Sequence, residues 1–375
     1  MTSSIDPVDL AARLIACPSI TPARGEVFDL LDAELTAIGF TVHRWIMGEE
    51  PDGPTENMVA IRGSGGPHFG FAGHLDVVPP GEGWGTEPFD PVIEEGILTG
   101  RGANDMKSAI AAFVAAIPEE QGTGTLSLLI TGDEEGYATF GTPRIIDWLN
   151  ERQIRPDMIL IGEPTSVDRL GDTIKIGRRG SVNMWIDVIG TQGHVAYPHR
   201  ADNPVPKLAR IIAALNDHHL DEGTDAFPAS NLEFTGITTS THASNVIPAS
   251  ATAQLNVRFN NLQNGADLVR LVEEIAGREA PGTTVRARIS GEAFLTPPGE
   301  LYNVVVSAIR EETGYEPELS TSGGTSDGRF LIQLCPVVDF GLPNATMHKV
   351  GEHAAIEDIY ALSRIYRRVL EKVLG

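Results

Sequence analysis

The sequence predicts an α/β protein of two domains: a catalytic α/β domain with a mostly parallel sheet flanked by helices, and an inserted α+β domain. Three observations carry this. A chain of 375 residues is too long for one ordinary hydrophobic core. Up to about residue 165, helical spacings alternate with short, continuously apolar runs of the kind buried in parallel sheets. From about residue 180 the apolar residues alternate instead, which suits antiparallel strands with one open face. The boundaries read as 1–178 and 293–375 for the discontinuous first domain, and 179–292 for the insert.

In chain order, Pro7 to Ile15 has helical spacing, with Asp6 as N-cap and Pro7 at the first helical position. Glu26 to Ile38 is a second helix, stopped by Gly39. Phe40 to Trp45 and Asn57 to Ile61 read as strands, followed by a buried strand at His68 to Ala72. Gly63 to Gly66 is glycine-rich, but Pro67 and a strand follow it, so it lacks the helix a dinucleotide loop requires. Ser108 to Ala116 is a helix of small residues suited to close packing on a sheet. Leu126 to Thr131 and Met158 to Ile161 are buried strands. The insert reads as a strand at Val182 to Ile189, a helix near Pro206 to Leu215, and strands near Leu232 to Ile237 and Ala251 to Phe259. A helix at Ala266 to Ala276 and a strand near Thr284 to Ile289 complete it. Tyr302 to Glu312 as helix, Cys335 to Phe340 as strand and Ile356 to Leu374 as helix return the chain to the first domain.

Composition excludes several classes. A net charge of −23 argues against a nucleic-acid partner, which needs clustered Lys and Arg. Two cysteines, Cys17 and Cys335, without a CxxC pair argue against a disulfide framework or a cysteine zinc site, and fit a reducing, cytoplasmic setting. No basic segment followed by an apolar core marks a signal peptide, and no apolar run is long enough for a membrane span.

Several polar residues stand at the ends of these elements. His74 and Asp76 follow a buried strand, two apart, where an extended chain sends both side chains to one side. Such a pair suits a metal, the imidazole binding and the carboxylate orienting it; a satisfied histidine at a strand end is the alternative. Asp105 opens the small-residue helix and, taken alone, reads as an N-cap. Asp133-Glu134-Glu135 follows the strand Leu126 to Thr131, and three adjacent carboxylates there are costly unless exposed or neutralised by a cation. Glu163 and His348 each follow a buried strand too. Loops at one edge of an α/β sheet are where sites assemble. His74, Asp105, Glu135, Glu163 and His348 together have the donor types of a zinc site with open positions.

The stretches Gly73-His74-Leu75-Asp76-Val77-Val78-Pro79, Gly100-Arg101-Gly102-Ala103-Asn104-Asp105-Met106-Lys107, Asp133-Glu134-Glu135-Gly136 and Gly162-Glu163-Pro164 resemble, in that order, the pattern of metallopeptidase family M20. Gly177-Arg178-Arg179-Gly180-Ser181, Gly190 to His199, Gly323 to Arg329 and Asn344 to Lys349 resemble its diaminopimelate desuccinylase branch, over essentially the whole length. The resemblance implies two zinc ions per subunit, with Co²⁺ possible in one site. His74 and Glu163 would bind one ion, Glu135 and His348 the other, and Asp105 both, with a cis peptide bond after it. Asp76 would support His74, and Glu134 would be the general base. His194 would act in the partner's active site within a homodimer paired through the insert. Arg178, Ser181, Tyr197, Asn245, Arg258, Gly324, Thr325 and Asn344 would hold the substrate. The implied reaction hydrolyses N-succinyl-LL-2,6-diaminopimelate to succinate and LL-2,6-diaminopimelate, in lysine and cell-wall precursor synthesis. Ser108 and Asn104 depart from the family's usual residues around Asp105.

Rival readings remain at this level. A sibling deacylase acting on acetylornithine would share the metals. Gly324-Thr325-Ser326-Asp327-Gly328, followed by Asp339 and His348, has the order of a serine hydrolase, though the segment before it, Glu318 to Ser322, is polar rather than a buried strand. A silent metal-binding scaffold is the third, and a spare base at Glu134 argues against it.

Overall fold

The computed structural model describes residues 5–120 and 122–375. The chain divides into two compact units. One takes the chain up to Ile176, Thr296–Ser320 and Ser326–Gly375; the other takes Gly177–Leu295 and the short stretch Thr321–Thr325.

The first unit is built on an eight-stranded sheet. Its spatial order is Thr41–Met47, Thr55–Ser64, Gly124–Thr131, His68–His74, Met158–Ile161, Val337–Asp339, Thr173–Lys175 and Glu318–Ser320. The four strands from Gly124–Thr131 to Val337–Asp339 run parallel, and they are the apolar runs of the sequence. The sheet as a whole is mixed, because Thr41–Met47 and Thr55–Ser64 add an antiparallel edge and Thr173–Lys175 pairs antiparallel with Val337–Asp339. Glu318–Ser320 is a strand after all, parallel to Thr173–Lys175 and largely exposed at the far edge.

The small-residue helix, Lys107–Ala116, is buried along nearly its whole length. Ala109, Ala111, Ala112 and Ala116 let it approach the sheet closely, and Phe113 stacks on Phe71 with ring centroids 3.9 Å apart. Tyr366, from the closing helix Ile356–Leu374, meets both rings edge-on and donates its hydroxyl to the Phe340 carbonyl at 2.7 Å. The helix Pro7–Ala16 is capped by Asp6, whose carboxylate accepts from the Val8 and Asp9 N–H groups. An additional helix, Thr142–Glu151, follows the acidic turn.

The second unit is a four-stranded antiparallel sheet, ordered Asn231–Thr239, Ser250–Phe259, Gly180–Ile189, Thr284–Gly291. Burial alternates along Ser250–Phe259, as period two requires for a sheet covered on one face. Helices Pro204–Asn216 and Gly265–Glu279 supply the cover, packing Leu208, Ile211, Leu268 and Val272 onto Met184, Ile186, Leu255 and Val257. Gly177–Arg178 and Phe294–Leu295, where the chain enters and leaves this unit, pair antiparallel. Among the described residues, no helix is long and apolar enough to cross a membrane.

Candidate active site

The ends of the parallel strands and the turns after them bring one cluster together in the first unit. His74 is the last residue of its strand, and its ring Nδ1 lies 2.9 Å from the Asp76 carbonyl. A carbonyl can only accept, so Nδ1 carries the proton and the Nε2 lone pair is left for a ligand. That Nε2 lies 3.1 Å from Asp105 Oδ1 and 3.7 Å from Glu163 Oε1. The other Asp105 oxygen, Oδ2, lies 3.3 Å from His348 Nε2, which is 2.9 Å from Glu135 Oε1. Asp105 therefore presents one oxygen to each imidazole. It is not an N-cap: Lys107–Ala116 starts without a side-chain cap hydrogen bond. The Asp105–Met106 peptide bond is cis. His348 has φ 61°, in the left-handed region that a non-glycine residue adopts at a cost.

Asp76 lies beneath the cluster, fully buried, and its two oxygens accept from the Glu134 and Glu135 N–H groups at 3.2 and 3.0 Å. Its carboxylate is 3.6 Å from His74 Nδ1. The support Asp76 gives thus goes chiefly to the acidic turn. The chain leaves the strand at His74, so strand alternation does not carry through to Asp76. Glu134, His74 and Glu163 bring ligand atoms within 4.8 Å of one another, as do His74, Asp105 and Glu135.

The electrostatics follow from crowding. Burial pushes the Glu134 carboxyl up to about 8, with Asp327 adding to the shift. Burial likewise raises Glu135, and it raises Asp133 to about 6. Burial works against a charged His74, but Asp105 outweighs it and holds the imidazole well above its ordinary value. Asp105 and Glu135 hold His348 up to about 10. Asp105 itself is opposed by burial, yet the two imidazoles hold it far below the usual carboxylate range. Protons and divalent cations compete for the same imidazole lone pairs, so a site that holds protons this firmly also suits a cation.

In the second unit, Arg178 is buried and donates from Nη1 to the Gly324 carbonyl at 3.1 Å, and Thr325 follows next in the chain. Ser181 and Arg258 are register partners on adjacent strands, and Ser181 Oγ accepts from Asn256 Nδ2 at 3.1 Å. Burial lowers Arg258, and Arg179 adds to it. His194 and Tyr197 are exposed neighbours with ring centroids 5.9 Å apart, and Asn245 accepts from the Val195 N–H. His194 Nδ1 accepts from the Ala196 N–H at 3.1 Å, which leaves Nε2 as the ring's donor. Asn344 belongs to the first unit, where its N–H donates to the Ser166 carbonyl.

A family model described as peptidase family M20/M25/M40 matches residues 70–372. The chain belongs to peptidase family M20. Relatives named succinyl-diaminopimelate desuccinylase match it from end to end. The one from Sphingopyxis alaskensis is 61% identical, covering 100% of each chain, and that from Rhizorhabdus wittichii is 59% identical, covering 99% of each. The one from Zymomonas mobilis is 58% identical, again covering 100% of each. Among solved structures, the M20 family metallo-carboxypeptidase Sso-CP2 from Sulfolobus solfataricus superposes with a TM-score of 0.80 at 17% identity, covering 98% of this chain and 99% of that one. The aminopeptidase PepT from Bacillus cereus gives 0.79 at 19%, covering 100% of both. At those identities the structural likeness speaks for the fold.

Membership of M20 brings divalent metal binding, and the donor set fits it. Two imidazole nitrogens and three carboxylates, one facing both imidazoles, are the ligands expected of a hard-to-borderline divalent ion. The serine alternative finds no such setting. Ser326 is fully buried, its Oγ donates to Asp339 at 2.9 Å and accepts from the Gly328 N–H, and no histidine is among these partners.

Sequence reasoning missed four residues around the M20 site. Asp327 backs Glu134 and accepts from Thr142 Oγ1 at 2.5 Å. Arg329 acts on both carboxylates and favours their charged forms. Glu352 and Arg101 form a buried pair at 2.7 Å. The Gly323 to Arg329 stretch carried the first two in plain sight. Asn104, a departure from the usual pattern, ties its loop to the Pro343 carbonyl through Nδ2 at 2.7 Å, whereas the buried Ser108 hydroxyl has no hydrogen-bond partner among the described residues.

Proposed function

We propose that this protein is a metal-dependent amidohydrolase that cleaves N-succinyl-LL-2,6-diaminopimelate into succinate and LL-2,6-diaminopimelate. The single observation that carries the chemistry is the Asp105 carboxylate, with one oxygen toward His74 and the other toward His348. The end-to-end relatives carry the substrate. The ions are two zinc per subunit, with Co²⁺ able to replace one. His74 and Glu163 hold the first, Glu135 and His348 the second, and Asp105 is shared. When bound, two such ions polarise the scissile carbonyl and make water acidic enough to lose a proton near neutral pH.

The chain's own residues do the rest. Glu134 takes the proton of the attacking water and passes it to the departing amine, acting as base and then as acid. Burial makes its carboxylate a stronger base, and neighbouring cations favour the carboxylate form. Asp76 fixes the backbone that carries Glu134 and Glu135. His194, supplied by the partner in a homodimer, donates from Nε2 to the oxyanion that forms as the carbonyl is attacked. Arg178 and Arg258 grip substrate carboxylates, for which planar guanidinium is suited. Ser181, Tyr197, Asn245, Gly324, Thr325 and Asn344 complete the substrate contacts. The insert is the dimerisation domain, and the protein works in the cytoplasm, where two free cysteines stay reduced.

The test is amide hydrolysis by chelator-stripped protein before and after zinc, with N-succinyl-LL-diaminopimelate and acetylornithine run side by side. Activity restored by zinc and selective for the succinyl substrate supports the whole reading. Zinc-dependent cleavage of acetylornithine instead keeps the mechanism and changes the substrate. Activity indifferent to chelation rejects the metals.

A further inference from the structure

Four residues beyond His348 lies Glu352, only 1% exposed. Its carboxylate is saturated by one loop. Oε1 accepts from the Asn104 and Asp105 N–H groups at 2.8 and 2.9 Å. Oε2 accepts from the Gly102 N–H at 3.0 Å and from Arg101 Nη1 at 2.7 Å. The Gly100 N–H adds a bond to the Glu352 carbonyl at 3.0 Å. The loop needs a glycine to wrap the carboxylate this way. Gly102 has φ +87°, and a Cβ there would meet Val77 Cγ1 at 2.8 Å.

Arg101 extends the network to the His74 stretch. Its Nη2 donates to the Pro80 carbonyl at 3.0 Å, and its guanidinium lies 5.2 Å from the Trp84 ring centroid. One buried carboxylate thus fastens the segments that carry His348, Asp105 and His74. A neutral acceptor would satisfy some of these donors. Only an anion on a residue four places from His348 satisfies all four while tying Asp105 to that histidine.

We infer that Glu352 is a positioning residue of the metal centre, setting the span that the Asp105 carboxylate must bridge between His74 and His348. This rests on the reading of Asp105 as a shared metal ligand. Glu352 touches neither substrate nor metal. It acts by holding the Asp105 N–H and, through the short turn Lys349–Gly351, the backbone of His348.

The experiment compares Glu352→Gln with the intact enzyme. Gln keeps the shape, but its amide NH₂ faces backbone or guanidinium donors and its charge is gone. Metal affinity, read by chelator competition, should weaken roughly 10- to 100-fold, the usual effect of disturbing a ligand's supporting partner. At saturating Co²⁺ the visible absorption of the site should shift, and kcat should fall with little change in KM. Glu312→Gln is the control. It breaks bonds to Arg364 and Arg368 at 2.6 and 3.1 Å and so costs stability away from the cluster. If Glu352→Gln does not fold, Glu352→Asp keeps the charge, shortens the reach by one methylene and is read in the same way. Wild-type affinity and an unshifted spectrum in the Glu352 variant, with only a lower Tm as in Glu312→Gln, would overturn the inference. Asp105→Asn is run alongside. If it changes metal binding and Glu352→Gln does not, only this inference fails. If Asp105→Asn leaves binding and spectrum intact, the shared-ligand reading fails and the inference with it.

Discussion

The metal cluster of the first unit and the proposed substrate residues of the second are held in opposite ways. In the cluster, His74, Asp105, Glu135 and His348 bond to one another, and Asp76 and Glu352 pin the backbone beneath them. His74, Asp105, Glu134, Glu135 and His348 are each displaced from their ordinary values by burial or by a neighbour. In the second unit Arg178 and Ser181 are buried and bonded, but His194, Tyr197 and Asn245 are exposed, with hydrogen bonds mostly to nearby backbone. The first is finished by the chain itself, at the cost of crowding charge. The exposed part of the second is a set of polar groups that, on the proposed reading, a bound ligand completes. Preorganisation belongs where charge develops, and adaptable contacts belong where a ligand must enter and leave.

The largest effect should come from Glu134, the group of the crowded cluster proposed as base rather than ligand. Glu134→Gln should lower kcat on the order of 10²- to 10⁴-fold. Metal stoichiometry by atomic absorption should stay at the wild-type value. Loss of metal together with activity would make Glu134 a ligand and erase the distinction between base and cage.

His194→Ala should come next, because one oxyanion donor is worth roughly 10²- to 10³-fold in kcat. Its sharper use is a mixing experiment with Glu134→Gln. If His194 serves the partner's site, random reassortment of the two inactive dimers restores about a quarter of wild-type turnover, since half the dimers then carry one complete site. If the histidine serves its own subunit, no complete site forms and the mixture stays inactive.

The same contrast explains what could be read from the sequence. His74, Glu163 and His348 were visible because each follows a continuous apolar run that became a parallel strand. The strand alternation in the insert was equally plain. The short strands Thr173–Lys175 and Glu318–Ser320 escaped because three residues are too few to show a period. The helix Thr142–Glu151 was missed although Ile145, Ile146 and Leu149 are spaced as a buried stripe. Glu352 had no local signature at all. Three of its four partners are backbone N–H groups about 250 positions earlier in the chain, and backbone donors leave no trace in residue identity; the fourth, Arg101, is as distant. The Asp76 carboxylate was placed with His74 by alternation, but the strand ends at His74.

A smaller effect is expected at the arginines. Arg258→Ala removes charge-assisted bonds worth about 1.5–3 kcal/mol, so KM for the succinyl substrate should rise roughly 10- to 100-fold. The change in kcat should be slight, as for uniform binding. A fall in kcat at constant KM would place Arg258 among the groups that act only in the transition state, and would move it to the other side of the comparison.

The smallest effect tests whether the second unit has its own pinned centre. Asp221 accepts from the Gly223 and Ser230 N–H groups at 2.9 and 3.1 Å and from Asn260 Nδ2 at 2.6 Å. Burial opposes its charge, but these bonds prevail and lower it to about 2. A carboxylate depressed below its unfolded value of about 3.9 contributes stability that is present above that pH. The contribution fades as pH falls toward 2. Asp221→Asn should therefore lower Tm by a few degrees near neutral pH, and the gap should close as the buffer is taken below about pH 4. Calorimetric melts across that range check it. Metal content and kcat should not move, because Asp221 organises the 221–230 loop of the second unit and not the cluster. A gap that persists unchanged to pH 2 would mean that Asp221 stabilises by packing rather than by its charge.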